Sequence, residues 1–289
     1  MSFEFCSSYL LYNNLGGLGP DDASKPPSIR FVNVGTVYTP DGEAINFDIE
    51  LTNRSSYTPS NASINGFSNG CFAQVNLACN NHVDLRATLL HSCSSRPSCR
   101  ICSESGLDPF QRIRCFALGC SCYGKTVSAE SHCTGANADD AKEEYDCPRM
   151  NQTLVLPSEA LASMTAYDID TDANGYYLEQ LTVPDYEYYQ TPLRAASGRT
   201  IESSVFVNRE RRSFTGTGVG TLPDTAFLTD PQELTDEQAS KGVQFFFRPQ
   251  KGHIEARFDV TYSGPGVCTG RSLLFAGDSA LCAPPPPHP

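Results

Sequence analysis

The sequence predicts an all-β fold, a β-sandwich or jelly-roll-like domain. Three observations carry that expectation: period-two apolar alternation in several short segments, connections rich in Gly, Pro and polar residues, and no long helical periodicity. With 289 residues, 39 % of them apolar, the chain has enough material for one large all-β domain or two ordinary ones.

The clearest strand is AINFDIELT, where Ile45, Phe47, Ile49 and Leu51 alternate with Asn46, Asp48, Glu50 and Thr52. The same period recurs in Val83, Leu85, Ala87 and Leu89. GFSNG, Gly66 to Gly70, has the letters of a nucleophile elbow, but that motif needs a buried strand before it and a helix after. Here Asn65, Asn69 and two glycines predict a polar loop, so Ser68 is given no catalytic role. SMTAY and YYLEQLTV read as strands flanking an acidic stretch. In GTGVG, the glycines Gly216, Gly218 and Gly220 read as a flexible loop, and RERR, Arg209 to Arg212, as a solvated one. One helix start stands out, in LTDEQASKG: Thr235 and Gln238 have capping-box spacing and Gly242 can close the helix. Val243, Phe245 and Phe247 form one strand and Ile254, Ala256, Phe258 and Val260 another, with Pro249 and Gly252 between them predicting a hairpin. At the end, APPPPHP is excluded from helix and sheet interiors and settles into polyproline II, a rigid spacer or a ligand for a groove.

The cysteines divide the chain. Eight of the thirteen, Cys93, Cys99, Cys102, Cys115, Cys120, Cys122, Cys133 and Cys147, crowd a stretch with almost no strand patterning. Such a segment needs covalent closure to hold a shape, so it is predicted to be a disulfide-stapled insertion. The expected organisation is a first part of the sandwich over 1–92, the insertion over 93–147, a second part over 148–283 and a polyproline tail over 284–289. Outside the insertion, Cys71 and Cys79 are placed to pair locally, as are Cys268 and Cys282. Cys6 is then left as a candidate intermolecular thiol, unless it pairs within the chain and another thiol is free.

A net charge of −12 leaves no broad basic face to neutralise phosphates, so neither nucleic acid nor an anionic lipid surface is an expected partner. No 18-residue apolar segment occurs, so no membrane insertion is expected. Thirteen cysteines together with three N-glycosylation sequons, at Asn53, Asn61 and Asn151, predict an extracellular glycoprotein, secreted or held in a cell-surface matrix. The opening MSFEFCSSYLLYNN lacks a basic n-region and a long apolar h-region, so the expectation is a chain whose signal peptide has been removed or one module of a longer protein.

The most suggestive chemical stretch is YDIDTDANGYYLEQ. Asp168, Asp170, Asp172 and Asn174 put hard oxygen ligands at alternate positions and Glu179 follows as the last ligand of a calcium loop would. Ala173 stands where an EF-hand needs glycine and the flanks are strands, so the candidate is calcium in a strand-connecting loop, against a solvated acidic turn in which Asn174-Gly175 forms a hairpin. The five histidines are scattered and no catalytic constellation is assembled.

Three stretches together resemble a module of secreted algal and protist cell-surface proteins, the mastigoneme-type and hydroxyproline-rich matrix glycoproteins. They are NNLGGLGPDDASKPPSIRFVNVGT, MTAYDIDTDANGYYLEQLTV, and DPQELTDEQASKGVQFFFRPQKGHIEARFDV running into GRSLLFAGDSALC. The resemblance spans nearly the whole chain apart from the Cys-rich insertion, which departs from the usual module. It implies a β-rich unit strung on proline-rich rods, with Pro284, Pro285, Pro286 and Pro287 as hydroxyproline sites for short O-linked sugars. The resulting expectation is a non-enzymatic structural subunit of an extracellular fibre, mastigoneme or cell wall, partnered by its own copies, other matrix glycoproteins and glycans. The alternative is a calcium-dependent adhesion or carbohydrate-binding module.

Overall fold

In the computed structural model, the described residues are 5–38, 44–92, 152–156, 160–221, 228–248 and 251–277. The predicted insertion with its eight cysteines, the sequon at Asn151, Cys282 and the prolines Pro284 to Pro287 lie outside them.

Among the described residues, fourteen strands, numbered in chain order, form two antiparallel sheets. The larger runs β1 (Tyr9–Asn13), β2 (Ile29–Tyr38), β3 (Ala44–Asn53), β6 (Asn81–His91), β13 (His253–Tyr262), β8 (Tyr177–Thr182), β11 (Ser213–Gly216) and β10 (Val205–Asn208). The smaller runs β4 (Gly66–Ser68), β5 (Phe72–Leu77), β14 (Arg271–Ala276), β7 (Ala162–Tyr167), β12 (Val243–Phe247) and β9 (Tyr186–Gln190). The sheets face one another: a small apolar void of about 20 Å³ is lined by Leu51, Leu85 and Ile254 from one and by Met164, Leu273 and Phe275 from the other. This is the predicted β-sandwich.

Alternation explains the core. Phe47, Ile49 and Leu51 of β3 and Val83, Leu85 and Leu89 of β6 are all buried, each side chain contributing roughly 1.5–3 kcal/mol by leaving water. Phe5, ahead of β1, packs edge-to-face against Phe31 at 5.1 Å and Phe275 at 5.8 Å, so the start of the chain is anchored in the same core. One position breaks the pattern. Asp48, on the polar side of β3, is buried and accepts hydrogen bonds from Arg30 Nη2 at 2.7 Å, Arg30 Nε at 3.1 Å and the Asn33 backbone N–H at 2.9 Å. Burial nevertheless pushes its carboxyl above the ordinary value, with the Arg30 charge pulling it back.

Two expected hairpins are arches instead. β12 pairs with β7 and β9 in the smaller sheet, while β13 pairs with β6 and β8 in the larger, so the chain between them crosses the sandwich. β7 and β8 likewise belong to different sheets, although the turn between them forms as expected, with Gly175 at φ +69 donating its N–H to the Asp172 carbonyl at 2.9 Å. A turn signal fixes a reversal of direction; the sheet joined by the returning strand is decided by the core. The predicted helix is present as α1 (Asp236–Ser240), with a complete capping box between Thr235 and Gln238.

The cysteine pairing also differs from the local scheme. Cys6 bonds to Cys71 and Cys79 to Cys268. Cys6 is therefore not an intermolecular thiol, and neither the Cys71–Cys79 nor the Cys268–Cys282 pairing occurs. Each bridge joins a segment leading into one sheet to a segment leading into the other: Cys6 precedes β1 and Cys71 precedes β5, while Cys79 lies between β5 and β6 and Cys268 between β13 and β14. Two cysteines at opposite ends of an extended strand are held far beyond disulfide reach, at about 3.3 Å per residue, whereas sheet crossovers bring distant ones together.

Candidate functional site

The acidic stretch predicted to hold calcium sits on the arch from β7 to β8, and the structure sends its side chains in three directions. Asp170 is buried, with Lys241 Nζ 3.9 Å from its carboxylate. The GTGVG segment lies directly over it. A Cβ at Gly216 would approach the Asp170 backbone nitrogen to 2.5 Å, and one at Gly220 would collide with the Asp170 carboxylate. These glycines thus serve close backbone approach, not the flexibility expected of them, and the segment is tied down by Thr171 N–H to Gly218 O at 2.9 Å and Gly220 N–H to Thr171 O at 2.6 Å.

Asp172 caps its own turn. Its Oδ1 accepts from the Tyr177 N–H at 2.9 Å and its Oδ2 from the Asn174 N–H at 3.4 Å, and the Tyr177 bond foremost holds its carboxyl below the ordinary value. Asn174 is an exposed member of that turn. Among the described residues, no group of three or more His, Cys, Asp or Glu side chains gathers as a metal site would require.

Asp168 and Glu179, by contrast, face a common space. A polar cleft of about 280 Å³ is lined by Ser68 of β4, Gln74 and Asn76 of β5, Asp168 just after β7, Glu179 of β8, and Arg271 and Ser272 of β14. Glu179 is buried on the inner side of the larger sheet, and Arg271 Nε of the smaller sheet lies 3.2 Å from its Oε1. That pair is in contact but not aligned as a hydrogen bond, for Arg271 Nε is a buried nitrogen with no hydrogen-bond acceptor among the described residues. Burial, and then the charge of Asp170, push the Glu179 carboxyl well above the ordinary 4.5, with Arg271 pulling the other way. The Arg271 guanidinium also lies over the Tyr177 ring at 4.1 Å, next to Tyr262, whose ring is 4.7 Å from that of Tyr177.

The floor of the cleft is held from behind. Ser272 Oγ accepts from Gln74 Nε2 at 3.0 Å and from Asn76 Nδ2 at 3.2 Å, while Asn76 Oδ1 accepts from the Asn61 N–H at 2.7 Å. The Asn76 backbone is fixed by Tyr57, whose OH donates to its carbonyl at 2.6 Å, and by Asn65 Oδ1, which accepts its N–H at 2.8 Å. Gly270 at the rim donates its N–H to Cys79 Sγ at 3.3 Å, so the Cys79–Cys268 bridge braces that edge. GFSNG makes the adjoining corner. Where a polar loop was expected, Gly66–Ser68 form β4, and Asn69 and Gly70, both at positive φ, begin the turn into β5, so no strand-to-helix elbow forms.

Sequence reasoning found Asp168 and Glu179 and missed Arg271, Gln74, Asn76 and Ser272. The alternating polar letters of FAQVNL were visible, but a polar strand face has no signature that separates a cleft from a solvated surface.

The sequons differ as well. Asn61 is exposed, and its Oδ1 accepts from Ser63 N–H at 3.1 Å and Ser63 Oγ–H at 2.7 Å. Asn53 is half-buried at the end of β3 and its Nδ2 donates to the Ser55 carbonyl at 2.9 Å.

No known family matches the chain, and no curated protein does. Among solved structures, the chain is similar to the N-terminal domain of a Streptococcus gordonii adhesin at 11 % identity and a TM-score of 0.35, covering 96 % of this chain and 55 % of that one. The chain thus spans about half the length of that neighbour.

Proposed function

We propose that this chain is a non-enzymatic structural glycoprotein of an extracellular fibre or cell-surface matrix, of the kind its sequence resembles in algae and protists. The observation that carries the reading is the pair of long-range disulfides, which tie the segment ahead of β1 to the β4–β5 turn and the β5–β6 crossover to the β13–β14 crossover. Bridges of this span belong to an oxidising compartment, and they suit a unit that must survive protease and shear. The sequons, with Asn61 exposed, agree with passage through a secretory pathway. Among the described residues no helix is long and apolar enough to cross a membrane.

With Cys6 paired internally, assembly draws on contacts between beads and on the proline-rich end, not on a bridge through Cys6. Electron microscopy of the full chain, secreted from a eukaryotic host and kept unreduced, tests this. Regular filaments or sheets with one globular unit per repeat, shortened or dissolved by deleting residues 283–289, are the expected result. A monodisperse population of single particles overturns the reading.

A further inference from the structure

The polar cleft between β5, β14 and β8 goes beyond a purely structural role, because its side chains are ordered as a binding site is ordered. We propose that it binds one neutral sugar unit, a pyranose ring at the end of a glycan chain, directly and without a metal ion.

Size is the first argument. A cleft of about 280 Å³ stands near the lower end of the range for small-molecule sites, roughly 300–1,000 Å³, and suits a single ring better than a polymer.

The second argument is the supply of hydrogen-bonding groups. A sugar hydroxyl both donates and accepts, so its recognition needs donors and acceptors side by side. Gln74 spends Nε2 on Ser272 and keeps Oε1 as an acceptor. Ser68 brings a hydroxyl with no other partner among the described residues, and Arg271 packs its Nε side against Glu179 while its guanidinium faces the same cleft that Asp168 lines. A guanidinium and a carboxylate on the wall of one cleft offer sugar hydroxyls a donor and an acceptor. These groups cost little to order on binding, since Asn76, Ser272 and Gln74 are already bonded to one another.

Charge and ring contact complete the case. Arg271 balances one carboxylate, and burial holds Glu179 toward its neutral form, so neither an anionic nor a cationic ligand is favoured. Tyr177 and Tyr262 lie behind Arg271, and the ring contact at 4.1 Å holds the guanidinium in place at the edge of the cleft.

The test is calorimetric titration of the full chain with neutral methyl pyranosides, a uronic acid and an amino sugar, each repeated with chelator. A single saturable site for a neutral pyranoside, unchanged by chelator, is expected. Gln74→Ala and Asp168→Asn should each weaken it about tenfold, equivalent to ~1.4 kcal/mol, while each variant keeps a single cooperative thermal transition. Binding that survives both substitutions, that needs calcium, that prefers the charged sugars, or that is absent altogether overturns the proposal. Filament formation is scored on the same variants: assembly without sugar binding defeats this inference alone, and sugar binding without assembly defeats only the matrix reading.

Discussion

Removing the Cys6–Cys71 bridge with the double substitution Cys6→Ala, Cys71→Ala gives the sharpest prediction. The bridge closes a loop of 65 residues. In the chain-entropy treatment that closure removes about 14.5 cal/mol/K from the unfolded ensemble, or ~4.3 kcal/mol at 25 °C. The loop does not overlap the one closed by Cys79 and Cys268, so the two contributions are independent in the unfolded chain. Without the bridge, the start of the chain is held chiefly by Phe5 in its aromatic nest, worth roughly 1.5–3 kcal/mol, so the segment stays docked but less securely. Urea unfolding followed by tyrosine fluorescence is the assay. With a slope near ~3 kcal/mol/M, the midpoint should fall by about 1.4 M, with the slope rising somewhat as the unbridged unfolded chain expands. An unchanged midpoint, or disulfide-linked dimers of the parent protein that vanish in the variant, would refute the reasoning and return Cys6 to an intermolecular role.

Glycopeptide mass spectrometry of protein secreted from a eukaryotic host should find Asn61 occupied and Asn53 bare, because Asn61 is exposed whereas Asn53 is half-buried with its amide turned to the Ser55 carbonyl; the reverse pattern contradicts the structure. Asp48→Asn leaves the Arg30 guanidinium buried without its counter-charge and should cost about 3–5 kcal/mol, read by urea melts, whereas a loss below ~1 kcal/mol would mean that water reaches the pair. Glu179 has its folded pKa raised above the ordinary 4.5, so the folded state binds more protons and stability falls as pH rises from 4.5 through the folded value. Asp48 contributes in the same direction. Glu179→Gln should flatten that slope, and parallel profiles for parent and variant would show that the carboxyl is not perturbed.

Strand positions were legible because period-two alternation is a local consequence of burying one face. Phe47, Ile49 and Leu51 are in the core as their spacing demands. Partnership was not legible. Pro249 and Gly252 announce a turn, yet β12 and β13 part into different sheets, since the choice between hairpin and arch depends on which side of the core each strand's apolar face meets. The cysteines fail for the same reason: proximity in sequence suggested Cys71 with Cys79, and topology brought Cys268 to Cys79. The acidic ladder shows the limit for site chemistry. Its regular spacing looks like a ligand set, but the arch turns Asp170 under the glycine loop, leaves Asp172 to cap its turn and gives only Asp168 and Glu179 to the cleft.

The disulfide pattern also sets how the bead would bear tension. A pull along the chain cannot extend the residues enclosed between Cys6 and Cys71 or between Cys79 and Cys268, because the force passes through sulfur from one side of each loop to the other. The load path runs instead from the start to Cys6, along β5 between Cys71 and Cys79, and on from Cys268. At about 3.5 Å per residue, that path reaches about 120 Å at full stretch, against about 1,000 Å for the unbridged chain. A fibre built of such beads would yield by a short, fixed length per unit and then stiffen, with most of the core shielded from the pull and the cleft strands β5 and β14 on the load path itself.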